Sequence, residues 1–125
     1  MEKEEIVYKW YKIFDSLAQA QQMIPVKKMQ TIRKGLKKIV LVHNSRGLFA
    51  LEDACPHKLV PLSQGQLNER EEIVCFWHQY TFEPSTGEEV TGKNIRPCKL
   101  MPLLEKADGL YLGIPEMPPQ DDFSF

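Results

Sequence analysis

Two short segments of the chain carry residue types that bind metal ions. Cys55-Pro56-His57 and Cys75-Phe76-Trp77-His78 each place one thiolate and one imidazole on a single stretch of chain, with seventeen residues between His57 and Cys75. Spacings of one and two residues let both side chains of a segment converge on a metal without a helix. Since two of the three cysteines and two of the three histidines fall here, the pattern predicts a metal site rather than a disulfide framework.

The order of these ligands is more informative than their number. With Cys-x-His meeting Cys-x-x-His, Cys55 and Cys75 can bind one iron while His57 and His78 bind a second iron. Such asymmetric ligation of a [2Fe–2S] cluster is the Rieske pattern, in which two histidines replace two cysteines on one iron. Because neutral imidazoles add no charge, this iron is easier to reduce than one in an all-cysteine cluster.

A structural zinc site is the alternative interpretation, since two cysteines and two histidines are also a zinc ligand set. Zinc knuckles usually open with a pair of cysteines, and an interior Cys-x-His such as Cys55-Pro56-His57 is uncommon there. A chance arrangement without any metal is the least favoured interpretation. Phe49, Leu51, Leu62 and Phe82 are expected in the core rather than at the metal.

The wider sequence around both segments resembles the cluster-binding loops of the Rieske ferredoxins. The resemblance is carried by Cys55-Pro56-His57 with Pro61-Leu62-Ser63-Gln64-Gly65, and by Cys75-Phe76-Trp77-His78 with Phe82 and Thr86-Gly87-Glu88. It covers most of residues 7 to 113 and is specific from 48 to 88. The resemblance implies one [2Fe–2S] cluster per chain, with Cys55 and Cys75 on a buried iron and His57 and His78 on an exposed one.

The chain departs from the pattern of the respiratory Rieske proteins of high potential. Those proteins add a cysteine to each loop, where this chain has Val60 and Trp77, so the disulfide across the cluster cannot form here. Tyr80 and Phe82 stand where those proteins place hydroxyls against cluster sulfurs. Hydrogen bonds to sulfur stabilise the reduced cluster, so their loss predicts a low potential, roughly −150 mV. A glycine often follows the second histidine, where Gln79 stands here, and we expect a different loop shape there.

Short strands broken by turn signals dominate the chain, and one short helix is predicted over Ser16 to Met23. Asn44-Ser45-Arg46-Gly47 predicts a turn. The predicted strands are Ile6 to Phe14, Val26 to Arg33, Lys37 to His43, Leu48 to Ala54, Ile73 to Cys75, Gln79 to Phe82, Cys98 to Leu104 and Leu110 to Ile114.

This pattern predicts an all-β fold, an antiparallel sandwich or small barrel. The resemblance implies a single Rieske domain over residues 1–125. Its β-sandwich or barrel base is formed by both ends of the chain, and a rubredoxin-like cluster-binding subdomain is inserted at roughly residues 53–95. Residues 115–125, which include three prolines, are expected to form a loose tail.

Five further features have a functional and a purely structural interpretation. His43 has no cysteine near it in the sequence and is expected at the surface or in a hydrogen bond. Cys98 is expected as a half-buried thiol acting as a small apolar residue. The segment 94–97, Asn-Ile-Arg-Pro, resembles the family's third loop over the cluster, although an ordinary turn explains it nearly as well. Lys58 and Trp77 could face a redox partner, or Trp77 could pack against the cluster.

Composition excludes several classes of protein. With sixteen basic and seventeen acidic residues the net charge is −1, so nothing indicates binding to nucleic acid or to an anionic membrane. No apolar run approaches the ~20 residues of a membrane span. The charged start, Met1 to Glu5, has no signal-peptide core behind it, so a cytoplasmic location is expected.

The function predicted is that of a soluble electron carrier of low potential, not itself an enzyme, which passes single electrons from a reductase to an oxygenase or similar acceptor. The small Rieske subunit of a larger reductase, resembling that of nitrite reductases, is the alternative. A complete ring-hydroxylating oxygenase is excluded, because its mononuclear iron needs two histidines and a carboxylate, and only His43 is unassigned.

Overall fold

The structure is a computed structural model that describes residues 7–35, 37–56, 60–76 and 79–116. The predicted ligands His57 and His78 lie outside the described residues, as do Lys58, Trp77 and residues 117–125 of the predicted tail. Cys55 and Cys75, the other two predicted ligands, lie inside them.

Antiparallel strands make up most of the described chain, and this confirms the predicted all-β class. The elements are β1 (Tyr8–Phe14), α1 (Leu17–Met23), β2 (Lys28–Lys34), β3 (Lys37–Asn44), β4 (Gly47–Glu52), a 3₁₀ turn (Leu62–Gln64), β5 (Gln66–Leu67), β6 (Ile73–Val74), β7 (Thr81–Phe82), β8 (Leu100–Met101), β9 (Leu103–Lys106) and β10 (Gly109–Pro115).

Two of the three sheets found in the described ranges form a base. One sheet has the strand order β1-β10-β9, and the other has the order β2-β3-β4-β8. β1 pairs with β10 from Tyr8 opposite Pro115 onwards, and the amide of Glu116 donates to the carbonyl of Val7 at 2.8 Å. Pro115, which the sequence assigned to the loose tail, is therefore part of a strand.

The helix and the first hairpin follow the sequence prediction closely. Ser16 is the N-cap of α1, and its hydroxyl accepts the amide of Gln19 at 3.0 Å. This cap satisfies an amide that the first helical turn leaves unpaired. His43, at the end of β3, is buried and hydrogen-bonds through Nδ1 to the carbonyl of Ile24. His43 therefore has the hydrogen-bonded structural role that the sequence favoured.

The strand predicted over Cys98 to Leu104 is wrong as a single element. It is two strands in different sheets, since β8 pairs with β4 and β9 pairs with β10. Pro102 separates them and has no amide hydrogen to continue a ladder. Its carbonyl instead accepts the amide of Gly113 at 2.9 Å. The chain therefore crosses from one sheet of the base to the other at this proline.

A third sheet, β5-β6-β7, lies in the chain between β4 and β8 of the base. It shares one hydrophobic core with the inner face of β3 and β4. The described members of that core are Val40, Val42, Leu51, Cys55, Leu62, Ile73, Cys75, Phe82 and Cys98. Leu51, Leu62 and Phe82 are fully buried, and Phe49 packs against them, as predicted. Within the described part of the chain, no helix has the length and hydrophobicity that crossing a membrane requires.

Candidate metal centre

Cys55 and Cys75 each begin a loop that is closed by the same backbone hydrogen bond. The amide of Cys55 donates to the carbonyl of Val60 at 2.7 Å, and the amide of Cys75 donates to the carbonyl of Tyr80 at 2.7 Å. Each bond joins residues five apart. The predicted ligand His57 falls within the first loop and His78 within the second. The two loops thus have the same length and closure, with a thiol at the start of each.

The flanks of the two loops are held by different means. The second loop connects β6 to β7, and these strands pair through Ile73 with Phe82 and Val74 with Thr81. The first loop follows β4 and leads through Pro61 into the 3₁₀ turn, which has no strand partner among the described residues. Leu62 in that turn is fully buried, and burying such a side chain stabilises the fold by ~1.5–3 kcal/mol.

The thiols of Cys55 and Cys75 lie in one apolar core and are both inaccessible to solvent. No described cysteine is in a disulfide. Two buried thiols in one core, each at the start of a matching loop, fit a metal centre, because thiolate is the ligand that iron–sulfur clusters take. Within the described ranges, no three His, Cys, Asp or Glu side chains are grouped to hold a metal ion; the two predicted histidine ligands lie outside those ranges.

Cys98 is the third thiol of the same core. It is buried, with 5% of its surface exposed, rather than half-buried as expected from the sequence. Burial, and after it negative charge on Cys55 and Cys75, together raise the pKa of the Cys98 thiol to about 12. A thiol with this pKa is neutral at physiological pH and packs as a small apolar group.

The segment 94–97 lies beside the first loop. The guanidinium of Arg96 donates to the carbonyl of Pro56 at 3.3 Å, and Ile95 packs against the core that contains the cysteines. Asn94 has a φ of 59°, in the left-handed region that asparagine tolerates better than most residues. These contacts favour the interpretation that segment 94–97 covers the first loop, rather than the interpretation that it is an ordinary turn.

Three carboxylates lie around the two loops, and none of them was predicted from the sequence. Each accepts both the amide and the hydroxyl of one serine: Asp53 from Ser63, Glu71 from Ser45, and Glu83 from Ser85. Asp53 and Ser63 are 10 residues apart in the sequence, and Glu71 and Ser45 are 26 residues apart. At these separations no short sequence pattern predicts either pair. Only the Glu83–Ser85 pair could have been expected from its sequence, as a local turn.

Hydrogen bonds keep two of these carboxyls ionised. The hydroxyl and then the amide of Ser45 lower the pKa of Glu71 below its ordinary value. Burial by itself would raise the pKa of Glu83, but hydrogen bonds from Ser85 and Arg46 outweigh burial, so that pKa is also lowered. Arg46 contacts Glu83 at 2.8 and 3.1 Å. Through Ser45 and Arg46, the turn between β3 and β4 is bound to the sheet that carries the second loop.

Comparisons with known proteins agree with this geometry. The family model of the Rieske [2Fe–2S] domain matches residues 10–103. The chain is 28% identical over 78 residues to the 3-phenylpropionate/cinnamic acid dioxygenase ferredoxin subunit of Photorhabdus laumondii subsp. laumondii. The aligned residues cover 62% of this chain and 74% of that protein. The chain is 24% identical over 95 residues to the ferredoxin component of the alkene monooxygenase system of Xanthobacter autotrophicus, over 75% of this chain and 76% of that protein.

A solved structure shows the same fold. The ferredoxin of carbazole 1,9a-dioxygenase from Nocardioides aromaticivorans IC177 matches with a TM-score of 0.67 at 17% identity, over 86% of this chain and 98% of that one. At this identity the likeness concerns the fold alone, and it confirms the predicted fold class.

Proposed function

Because the chain belongs to the family of Rieske [2Fe–2S] domains, we propose that it carries single electrons between protein partners through one [2Fe–2S] cluster. The observation that carries the proposal is the pair of matched loops, each beginning at a fully buried cysteine of one apolar core. When bound, the cluster supplies one-electron redox chemistry. The residues of the chain bind the cluster, orient it and exclude water from part of it.

Four residues are proposed as cluster ligands. Cys55 and Cys75 would bind one iron, and their complete burial excludes water from their sulfurs. His57 and His78 would bind the other iron and would direct electrons to and from a partner. A buried, desolvated pair of thiolates favours a bound metal, since a metal must compensate the charge that burial penalises.

The partners proposed are a reductase that supplies the electron and an oxygenase that receives it. Two curated relatives are ferredoxin components of a dioxygenase and of a monooxygenase system, and this supports a mobile carrier over the small subunit of a reductase. In such a system the oxygen chemistry takes place on the oxygenase, so the chain is a carrier and not an enzyme. Interfaces of this kind are usually small and transient.

The domain organisation and location belong to the same proposal. Residues from about 53 to 95 would form the cluster-binding subdomain of a single Rieske domain, and the contacts of Ser45 with Glu71 and of Arg46 with Glu83 support a fixed attachment to the base. A cytoplasmic location, expected from the sequence, is also proposed.

Absorbance and EPR spectra of the anaerobically purified protein, before and after reduction with dithionite, test the cluster directly. We expect a coloured protein with two irons and two sulfides per chain and an EPR signal that appears on reduction. A colourless, EPR-silent protein that contains stoichiometric zinc would falsify the proposal.

Cysteine variants test the ligand assignment. Cys75→Ser should abolish the spectrum of the cluster. Cys98→Ser is the matched control, because Cys98 is buried in the same core but is not a proposed ligand; this variant should keep the iron content and the EPR signal. A Cys75→Ser protein with an unchanged spectrum would show that the ligands are wrongly assigned.

A further inference from the structure

The two ligand loops have identical closures, but among the described residues only the second loop has paired strands on its flanks. Ile73 and Val74 before the second loop pair with Thr81 and Phe82 after it. Before the first loop, β4 ends at Glu52, and after it the chain continues through Pro61 into the 3₁₀ turn. Proline has no amide hydrogen, so a ladder cannot form at that position. Another interaction must therefore hold the two flanks of the first loop together.

The side chain of Asp53 supplies that interaction. One carboxylate oxygen accepts the amide of Ser63 at 2.8 Å, and the other accepts the hydroxyl of Ser63 at 2.7 Å. These two bonds join Asp53, two residues before Cys55, to the 3₁₀ turn just after the first loop. In the sequence, the bonded residues Asp53 and Ser63 lie on either side of the bonded residues Cys55 and Val60. The β6–β7 pairs lie in the same way on either side of the bond between Cys75 and Tyr80.

Asp53 is itself fixed to the base of the fold. Its amide donates to the carbonyl of Lys38 in β3 at 2.9 Å, and the ammonium of Lys38 lies 3.5 Å from Oδ2. The Asp53 side chain is fully buried while that of Lys38 is 39% exposed. A buried carboxylate is costly unless it is paired and hydrogen-bonded. Asp53 meets both conditions, so its position is tightly defined by the surrounding structure.

We propose that Asp53 is a positioning residue for the cluster: through Ser63 it fixes the flanks of the loop that carries Cys55 and His57, and thereby the geometry of ligation at that loop. This inference rests on the proposed function, because it concerns how the cluster ligands are held. Asp53 acts through the loop and is not itself a ligand.

The test uses the full-length protein with its cluster bound, as wild type, Ser63→Ala and Asp53→Asn. Ser85→Ala is the matched control, since Ser85 donates its amide and hydroxyl to Glu83 in the same way, but these two residues are only two positions apart and do not bridge the ends of a loop. The readouts are the EPR g-values, the midpoint potential, the rate of iron release to a chelator, and hydrogen–deuterium exchange of the peptide covering residues 54–63.

Ser63→Ala should shift the g-values and the midpoint potential, increase exchange in residues 54–63, and release iron about tenfold faster than wild type, the effect of losing one charged hydrogen bond. Ser85→Ala should leave the g-values, the midpoint potential and the exchange of residues 54–63 unchanged, and the rate of iron release within twofold of wild type. Asp53→Asn should have the larger effect; if it does not fold, Ser63→Ala decides the question alone. Ser63→Ala with the g-values, potential and iron release of wild type overturns the inference.

Failure of the inference and failure of the proposed function give different results. A wild-type protein that binds a [2Fe–2S] cluster, together with a silent Ser63→Ala variant, rejects only the role of Asp53. A wild-type protein that binds no cluster rejects both.

Discussion

Phe82 and Tyr80 are the residues on which the predicted potential depends. Phe82 is fully buried in the core that contains the cysteines and has no hydroxyl to donate to a cluster sulfur. Tyr80 is half-buried, and its carbonyl accepts the amide of Cys75. Without a hydroxyl at position 82 to donate to a sulfur, the reduced cluster is less stabilised. A redox titration monitored by EPR should give a midpoint of roughly −150 mV, and a clearly positive midpoint would contradict this account.

Gln79 has a backbone conformation that glycine adopts more easily. Its φ is 59°, in the left-handed region, where a residue with a Cβ is less stable by about 1 kcal/mol. Gln79→Gly should therefore raise the free energy of unfolding by about 0.5–1 kcal/mol in a urea titration.

Gln66→Gly is the control for that variant, because Gln66 is also an exposed glutamine but lies in the extended strand β5. There glycine should lower the free energy of unfolding by about 0.5–1 kcal/mol. Equal destabilisation by the two glycine variants would show that the φ of Gln79 carries no cost.

At the scale of the elements, Gly65 allows the 3₁₀ turn to approach β6. A Cβ at this position would overlap the carbonyl oxygen of Val74, the residue before Cys75. Because the obstructing atom belongs to the backbone of a paired strand, it can move only if the second loop moves with it. Gly65→Ala should lower the free energy of unfolding by about 3 kcal/mol, measured by urea denaturation, and should also broaden the EPR signal of the cluster.

Gly92→Ala separates this steric effect from the loss of glycine as such. Gly92 has a φ of 78° but no atom near enough to contact a new Cβ, so its substitution should cost only about 1 kcal/mol. If both alanine variants unfold at the same urea concentration, the overlap between a Cβ at position 65 and the carbonyl of Val74 does not destabilise the fold as predicted.

At the scale of the whole molecule, carboxylates hydrogen-bond to the turn between β3 and β4 and so join the sheet of the second loop to the base. Protonation of these carboxylates at low pH should weaken the hydrogen bonds and lower the stability of the fold. The pKa of Glu71 is lowered in the folded protein from 4.5 by the hydroxyl and amide of Ser45. The unfolded chain therefore takes up its proton first as the pH falls. The stabilisation from Glu71 is complete above about pH 4.5 and is lost as the pH falls further, through the folded pKa.

Glu71→Gln measures that contribution by comparison with wild type. The variant should be less stable than wild type at pH 6, and the difference between their unfolding midpoints should shrink between pH 4.5 and pH 3. Glu69→Gln, at a neighbouring exposed glutamate, controls for the loss of a surface charge. A difference between Glu71→Gln and wild type that is constant from pH 6 to pH 3 would contradict the linkage.

Local features of the chain were predictable from sequence. The strands around the turn at residues 44–47, the helix capped by Ser16 and the burial of Leu62 and Phe82 all follow from short-range patterns. Side-chain alternation, capping and turn chemistry involve residues only a few positions apart. The strand predicted over Cys98 to Leu104 failed as a single element because its two halves pair with different sheets on either side of Pro102.

The sequence by itself determined the proposed ligands, because the types and spacing of Cys55, His57, Cys75 and His78 are local properties of the chain. Only the tertiary structure decided that Cys55 and Cys75 share a core with Cys98, and that serine side chains distant in sequence bind Asp53 and Glu71. These contacts join residues 10 or more positions apart. They exist only after the sheets have packed, since packing alone brings such distant groups within hydrogen-bonding distance.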